Sequence, residues 1–269
     1  MDSRRLVRWL LWPLALYLAI CVLMYSAQHW LQFRPNPAAM DASAVGVPGL
    51  VSQTLVTPDG ERIVVWWLAP RDAAAPVYLY LHGNGANLMA RDARLRRLAA
   101  SGAGFMALSW RGYGGSSGQP DEAGLLSDVR TAWAALAQRV PPARVVLFGE
   151  SLGTAVATIL AAEVPAAAMV LDSSFASALD VAQHRYPWLP VALLMKSPLR
   201  ADLAAPQVRM PVLQVHCRDD PVTPIESALK LNALLPQRRP LVILQDRCHT
   251  PSYARFEPQV QEFVASVLR

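Results

Sequence analysis

One α/β domain on a mostly parallel sheet is predicted by three features of the sequence. Short apolar runs at 77–81, 105–110, 145–148, 168–171, 212–215 and 241–244 alternate with helical segments near 88–101, 121–139, 152–163, 225–235 and 257–268. Strand and helix in turn imply parallel strands covered on both faces. The third run passes directly into Gly149-Glu150-Ser151-Leu152-Gly153 and then into an Ala-rich stretch, which reads as a strand, a sharp turn and a helix. At 269 residues and 53% hydrophobic content the chain is long enough to bury one large core.

Ahead of that domain, Arg4, Arg5 and Arg8 precede an uncharged apolar run from Trp9 to Ala27. As a helix those residues extend about 28 Å at ~1.5 Å each, close to the ~30 Å hydrocarbon core of a bilayer. Residues 1–33 therefore read as an uncleaved membrane anchor. A cleaved signal peptide is the competing reading, but its apolar region is usually ~7–15 residues and ends in a small-x-small site. Tyr25-Ser26-Ala27 fits such a site poorly, and Ile20 is bulky for lipidation at Cys21. The flanking arginines keep the N-terminus cytoplasmic and put the domain on the opposite side, the periplasm in a Gram-negative cell.

The net charge of +5 divides unevenly, because Arg4, Arg5, Arg8 and Arg34 against Asp2 give the first 34 residues +3 and leave +2 for the rest. No basic stripe argues for nucleic acid. Residues 34–49 are rich in Pro and Gly, have no apolar period, and read as a linker to a catalytic domain over 50–269. Two β-rich runs, 50–57 and 62–68, then flank Pro58-Asp59-Gly60, a hairpin signal.

After the run at 77–81 comes His82-Gly83-Asn84-Gly85. Glycine on both sides of Asn84 lets the backbone fold tightly and aim an N–H toward the sheet edge, although Gly and Asn also build ordinary turns. The next landmark is the pentapeptide around Ser151. Its glycines let the strand and the new helix approach closely, and Ser151 stands exposed at the C-terminal edge of the sheet in a G-x-S-x-G nucleophile elbow. The helix start adds free N–H groups, among them that of Leu152, and the positive end of its dipole.

Residues 173–206 break the alternation with Tyr186-Pro187-Trp188-Leu189-Pro190 and Lys196-Ser197-Pro198. Lying between two strands at the edge where α/β crevices form, they read as a cap.

A nucleophilic serine needs a base and an orienting acid, which in this topology follow in the order Ser, acid, His. Three of the five histidines come after Ser151. His184 is in the cap segment and His216 ends a strand, where a structural role is expected. His249 follows the run at 241–244, where the base belongs. The acid should lie in the preceding strand's loop, in which Asp219 and Asp220 are adjacent. Asp220 fits the pattern His-x-x-x-Asp-x-x-x-Pro between His216 and Pro224 and is preferred. Asp172, at the end of the run at 168–171, is a third candidate, with a plain capping role as its alternative.

Taken together, His82-Gly83-Asn84-Gly85, Arg111-Gly112-Tyr113-Gly114 with Ser116 and Gly118, Gly149–Gly153, Asp172-Ser173-Ser174-Phe175, and Asp220 with Val222 resemble the membrane-anchored α/β-hydrolase-domain serine hydrolases. That group includes acyl-protein thioesterases and serine-aminopeptidase-like sequences, and the resemblance extends from about residue 50 to the C-terminus. It implies an α/β-hydrolase fold and cleavage of ester or thioester bonds, without naming a substrate. The chain departs from the family at Thr154, where a second Gly is common, and at Cys217 and Cys248, where Gly is usual. The loops of Asp220 and His249 must meet, so Cys217 and Cys248 are expected to pair within the ~5.5–6 Å Cα separation of a disulfide; two small buried thiols are the alternative.

The reading is a single-pass serine hydrolase with Ser151 as nucleophile, His249 as base, Asp220 as orienting acid, and the N–H groups of Asn84 and Leu152 as oxyanion hole. Its substrate is a small-molecule or acyl ester or thioester, its membrane partner is met through the N-terminal helix, and no metal, cofactor or nucleic acid is required. A peptidase with the same residues would need an acidic pocket for an α-amine, and a non-catalytic binding protein would be expected to have lost one of the three.

Overall fold

Helix α1 (Ser3–Gln32) opens the computed structural model, which describes residues 3–269 and their side chains from residue 11 onward. The side chains of Arg4, Arg5 and Arg8, on which the expected orientation rests, lie outside the described residues. The most apolar 18 residues within 11–32 have a mean hydropathy of 1.6 and few of them are fully buried, so α1 is long and apolar enough to cross a membrane.

Eight strands form the central sheet: β1 (Val51–Val56), β2 (Arg62–Leu68), β3 (Val77–Leu81), β4 (Gly104–Leu108), β5 (Val145–Glu150), β6 (Ala168–Asp172), β7 (Val212–Cys217) and β8 (Val242–Leu244). Their order across the sheet is β8-β7-β6-β5-β3-β4-β2-β1. From β4 to β8 all neighbours run parallel, whereas β2 is antiparallel to both β1 and β4. The expected hairpin thus closes one edge of a mostly parallel sheet, turning at Gly60 with φ 89°.

Helices α2 (Asp92–Ala100), α3 (Glu122–Ala137), α4 (Leu152–Ala161), α8 (Ile225–Leu234) and α9 (Glu257–Val267) follow strands in turn. Alternate residues of the central strands face opposite layers. Leu79, Leu81, Leu147, Met169 and Leu171 pack with α3 and α4 on one face, and Tyr78, Tyr80, Val146, Phe148 and Val170 pack with α2 and α9 on the other. This two-sided burial is why those strands read as continuous apolar runs.

Two segments differ from their expected reading. Residues 34–49, which have the composition of a linker, lie along the body: Phe33 is buried in the core, Arg34 and Pro35 pair in parallel with Gly85 and Ala86, and the N–H of Gly114 donates to the Asn36 carbonyl at 2.8 Å. The strap is held by backbone hydrogen bonds, which need no side-chain pattern, and by Ala42 and Val45, which are buried in the core. Within 173–206, only α5 (Ala178–Arg185) and α6 (Val191–Leu194) stand over the sheet edge. Leu199, Ala201 of α7 (Ala201–Ala204) and Ala205 return to the main core.

Candidate active site

The turn between β5 and α4 holds Ser151 at φ 49° and ψ −114°, a backbone conformation that L-residues adopt only when the surroundings enforce it. Both flanking glycines are required for it. A Cβ on Gly149 would come within 2.6 Å of the Gly153 carbonyl oxygen, and one on Gly153 would collide with the Leu81 carbonyl. The N–H of Ser151 donates to the Asp172 carbonyl at 2.9 Å, which ties the elbow to the end of β6. Thr154, in place of a glycine, uses its Oγ1 to donate to the Ser151 carbonyl at 2.6 Å.

Ser151 Oγ lies 2.8 Å from His249 Nε2, and His249 Nδ1 lies 2.8 Å from Asp220 Oδ2. Since a carboxylate accepts, Nδ1 carries the proton and Nε2 is left as an acceptor for the serine hydroxyl. Asp220 also accepts from the N–H groups of Val222 and Thr223 and from the Thr223 hydroxyl, at 2.8, 2.9 and 2.9 Å. Burial pushes its carboxyl up, but the hydrogen bond and charge of His249 and those two N–H groups outweigh burial and hold it below the ordinary carboxylate range.

The other candidates sit apart from this chain of hydrogen bonds. Asp219 points into solvent, and His184 is exposed on α5. His216 is buried with Nε2 donating to the Thr223 carbonyl at 3.0 Å, so it supports the turn that holds Asp220. Asp172 accepts from Arg94 Nη2 at 2.7 Å and from the Ser173 hydroxyl at 3.1 Å. Ser173 Oγ in turn accepts the N–H of Thr250 at 3.0 Å. Asp172 therefore braces the elbow and the histidine loop from below.

Leu152 is the first residue of α4, with its N–H at the free end of the helix. Asn84 shares one pocket with Ser151, Leu152 and His249. Its side chain is fully engaged: Oδ1 accepts from the N–H of Arg34 at 3.0 Å and from the Tyr113 hydroxyl at 2.8 Å, and Nδ2 donates to the Gln32 carbonyl at 2.6 Å. The end of α1 thereby fixes the loop. Gly83 is packed so closely that a Cβ there would stand 3.3 Å from Ser151 Cβ.

Cys217, at the end of β7, is disulfide-bonded to Cys248 with Cα atoms 5.6 Å apart. β7 and β8 are neighbours in register at Cys217 and Leu244, so the bridge joins the loop of Asp220 to that of His249.

Sequence reasoning missed a buried charge cluster under the elbow. Glu150, the first of the two variable residues of the pentapeptide, accepts from Arg91 Nε at 3.0 Å and Nη2 at 2.6 Å and from the Tyr80 hydroxyl at 2.6 Å. Arg94 lies 3.2 Å from Glu150 and 2.7 Å from Asp172, with the rings of Tyr80, Phe148, Tyr253 and Phe256 5.3–6.0 Å from its guanidinium. Burial would raise both carboxyls. Arg94 and Arg91 outweigh it at Glu150, held down to about 2, whereas Asp172, with Arg94 alone and Glu150 nearby, is pushed up to about 6. The one available signal was a glutamate between an apolar strand and the turn, matched by arginines four residues before and one residue before Leu95.

The pocket above Ser151 has a volume of about 750 Å³. Its far walls come from α5, α6 and the distal end of α1, including Met24, Gln28 and Leu31.

A family model described as the alpha/beta hydrolase family matches residues 78–265. An uncharacterized protein of Mycobacterium tuberculosis is 31% identical over 228 residues, covering 84% of this chain and 81% of that protein. The lysophosphatidylserine lipase ABHD12 of Danio rerio is 29% identical over 285 residues, covering 88% and 74%. Among solved structures, the Pyrococcus furiosus esterase Pf2001 has a TM-score of 0.71 at 17% identity, covering 88% of this chain and 98% of its own. The esterase RhEst1 from Rhodococcus sp. has a TM-score of 0.60 at 19% identity, covering 80% and 99%.

Proposed function

Because the chain belongs to the alpha/beta hydrolase family, we propose that it is a serine hydrolase that cleaves carboxylic ester or thioester bonds through an acyl-enzyme on Ser151. The observation that carries this is the unbroken relay Ser151–His249–Asp220, two contacts of 2.8 Å each.

In this reading His249 Nε2 takes the Ser151 proton as Oγ attacks the acyl carbonyl, and Asp220 keeps Nδ1 protonated and stabilises the imidazolium. Oxyanion charge develops at the start of α4, where the N–H groups of Leu152 and Asn84 receive it. His249 then gives its proton to the leaving alcohol or thiol. Water activated by His249 hydrolyses the acyl-enzyme and restores the serine.

The catalytic domain covers residues 50–269, with 34–49 as a strap and α1 as its anchor. The domain faces the compartment opposite Arg4, Arg5 and Arg8, where a disulfide at Cys217–Cys248 persists. A relative named as a lysophosphatidylserine lipase supports a lipid acyl ester as the substrate class. Labelling by a fluorophosphonate in the wild type and its loss in Ser151→Ala tests the nucleophile; equal labelling of both proteins sinks the assignment. An alkaline phosphatase fused to the C-terminus should be active in a bacterial host, and an inactive fusion reverses the orientation.

A further inference from the structure

The geometry points to an acyl-chain entrance embedded in the bilayer: the distal half of α1 and the cap helices α5 and α6 form the far wall of the pocket, and the acyl chain of a membrane lipid ester enters there from the leaflet. The inference rests on the serine-hydrolase reading and adds where the substrate comes from.

Its first support is an overlap in depth. A span beginning after Arg8 needs about 20 residues to cross the hydrocarbon core, which carries it to about residue 28. Contacts between α1 and the cap begin well before that. The Tyr17 hydroxyl donates to the Trp188 carbonyl at 3.2 Å, Cys21 is buried against Leu189 and Val191, and Gln28 Nε2 donates to the Leu194 carbonyl at 3.0 Å. From residue 17 to residue 28 a helix rises about 16 Å, so the segment from Trp188 to Leu194, which makes these contacts, occupies roughly the distal half of the same slab as the span. A cap held in water would draw that half of α1 out of the lipid.

The surface around Trp188 and α6 fits this placement. Trp188 and Leu193 are 55% and 86% exposed and lie outside the pocket, beside a helix whose Leu16, Leu18, Val22 and Leu23 are also more than half exposed. Apolar side chains in a continuous exposed surface mark contact with another apolar phase, and the adjoining span makes that phase the bilayer. Gln28, at the end of the span, turns inward and donates to the Leu194 carbonyl, as a polar group at membrane depth must; Gln32, beyond the span, donates to the Ser197 carbonyl. The pocket then runs from Ser151 to a wall of Met24, Leu189 and Leu194, so an acyl chain passes from lipid to the serine without crossing water.

The test uses the full chain in phospholipid nanodiscs. Met24→Trp fills the shared wall, and it should lower the ratio of kcat/KM for p-nitrophenyl hexadecanoate to that for p-nitrophenyl butyrate by about 10-fold or more, the discrimination that a few buried methylenes carry. A nitroxide on Leu193→Cys, with Cys21→Ala to leave one free thiol, should be more accessible to oxygen than to a water-soluble nickel complex. A folded Met24→Trp with an unmoved ratio overturns the inference, as does a spin label more accessible to nickel. Fluorophosphonate labelling of the same samples separates the two readings: labelled Ser151 with an unmoved ratio sinks the entrance alone, whereas an unlabelled wild type sinks both.

Discussion

Arg94 and Asp172 form an ion pair of 2.7 Å beneath the elbow, and the same Nη2 of Arg94 donates to the Pro251 carbonyl at 3.3 Å. One guanidinium thus links the end of β6, whose Asp172 carbonyl holds the N–H of Ser151, to the loop that carries His249. The pair is a mechanical connection between the elbow and the histidine loop, whose Ser151 and His249 are 98 residues apart.

Arg94→Met should destabilise the fold strongly, because it leaves Asp172 without its cation and Glu150 with Arg91 alone in a dry interior. Removing one partner of a buried pair costs roughly 3–5 kcal/mol. Urea unfolding of the two proteins measures it; a change under ~1 kcal/mol would mean that water reaches the cluster.

Asp220→Asn should lower kcat/KM for a short p-nitrophenyl ester by about 10⁴, because the amide cannot hold the productive imidazole tautomer. Asp219→Asn should change it less than about threefold, since that side chain is exposed. If Asp219→Asn is the crippling change, the acid is misassigned.

Gly153→Ala should reduce both stability and turnover. Its Cβ meets the backbone carbonyl of Leu81, which no rotamer change can relieve, so α4 must shift and carry the Leu152 N–H with it. A crystal structure of the variant with α4 and Ser151 unmoved would refute this account.

Cys217→Ser, Cys248→Ser together should lower stability by about 3–4 kcal/mol in the chain-entropy model, given the sequence separation of 31. Turnover should fall further as the temperature rises, because the bridge holds the loop of Asp220 to that of His249. Equal urea midpoints for the oxidised wild type and the double variant would show that the bridge contributes nothing.

Stability should depend on pH in two opposed windows. Glu150 has its carboxyl lowered from 4.5 to about 2, so its contribution is present above pH 4.5 and is lost as pH falls toward 2. Asp172 is raised from 3.8 to about 6; the native state holds a proton there that the unfolded chain has released, so stability falls as pH rises from 3.8 to 6. Urea midpoints against pH should lose the upper slope in Asp172→Asn and the lower slope in Glu150→Gln. An upper slope that survives in Asp172→Asn belongs to another group.

The sheet, the elbow and the loops in which Ser151, Asp220 and His249 stand were legible in the amino-acid order. These depend on local chemistry: apolar runs long enough for a strand, glycines at Gly149 and Gly153 where a Cβ has no room, and a strict order of strands that assigns each loop its place at one sheet edge. Even the pairing of Cys217 with Cys248 was legible, since both flank loops that must meet. What lies beneath and above that edge depends on contacts between segments far apart in the chain. Arg91 and Arg94 reach Glu150 and Asp172 from another helix across 56–78 positions of chain, and a charged pair of that separation has no periodic signature. The same holds for α1: its composition makes it long and apolar enough to cross a membrane, but that Met24 and Gln28 also wall the pocket follows from the strap at 34–49 folding back along the body. Backbone hydrogen bonds such as that from Gly114 to Asn36 made that choice, and they are available to every residue type except proline as donor.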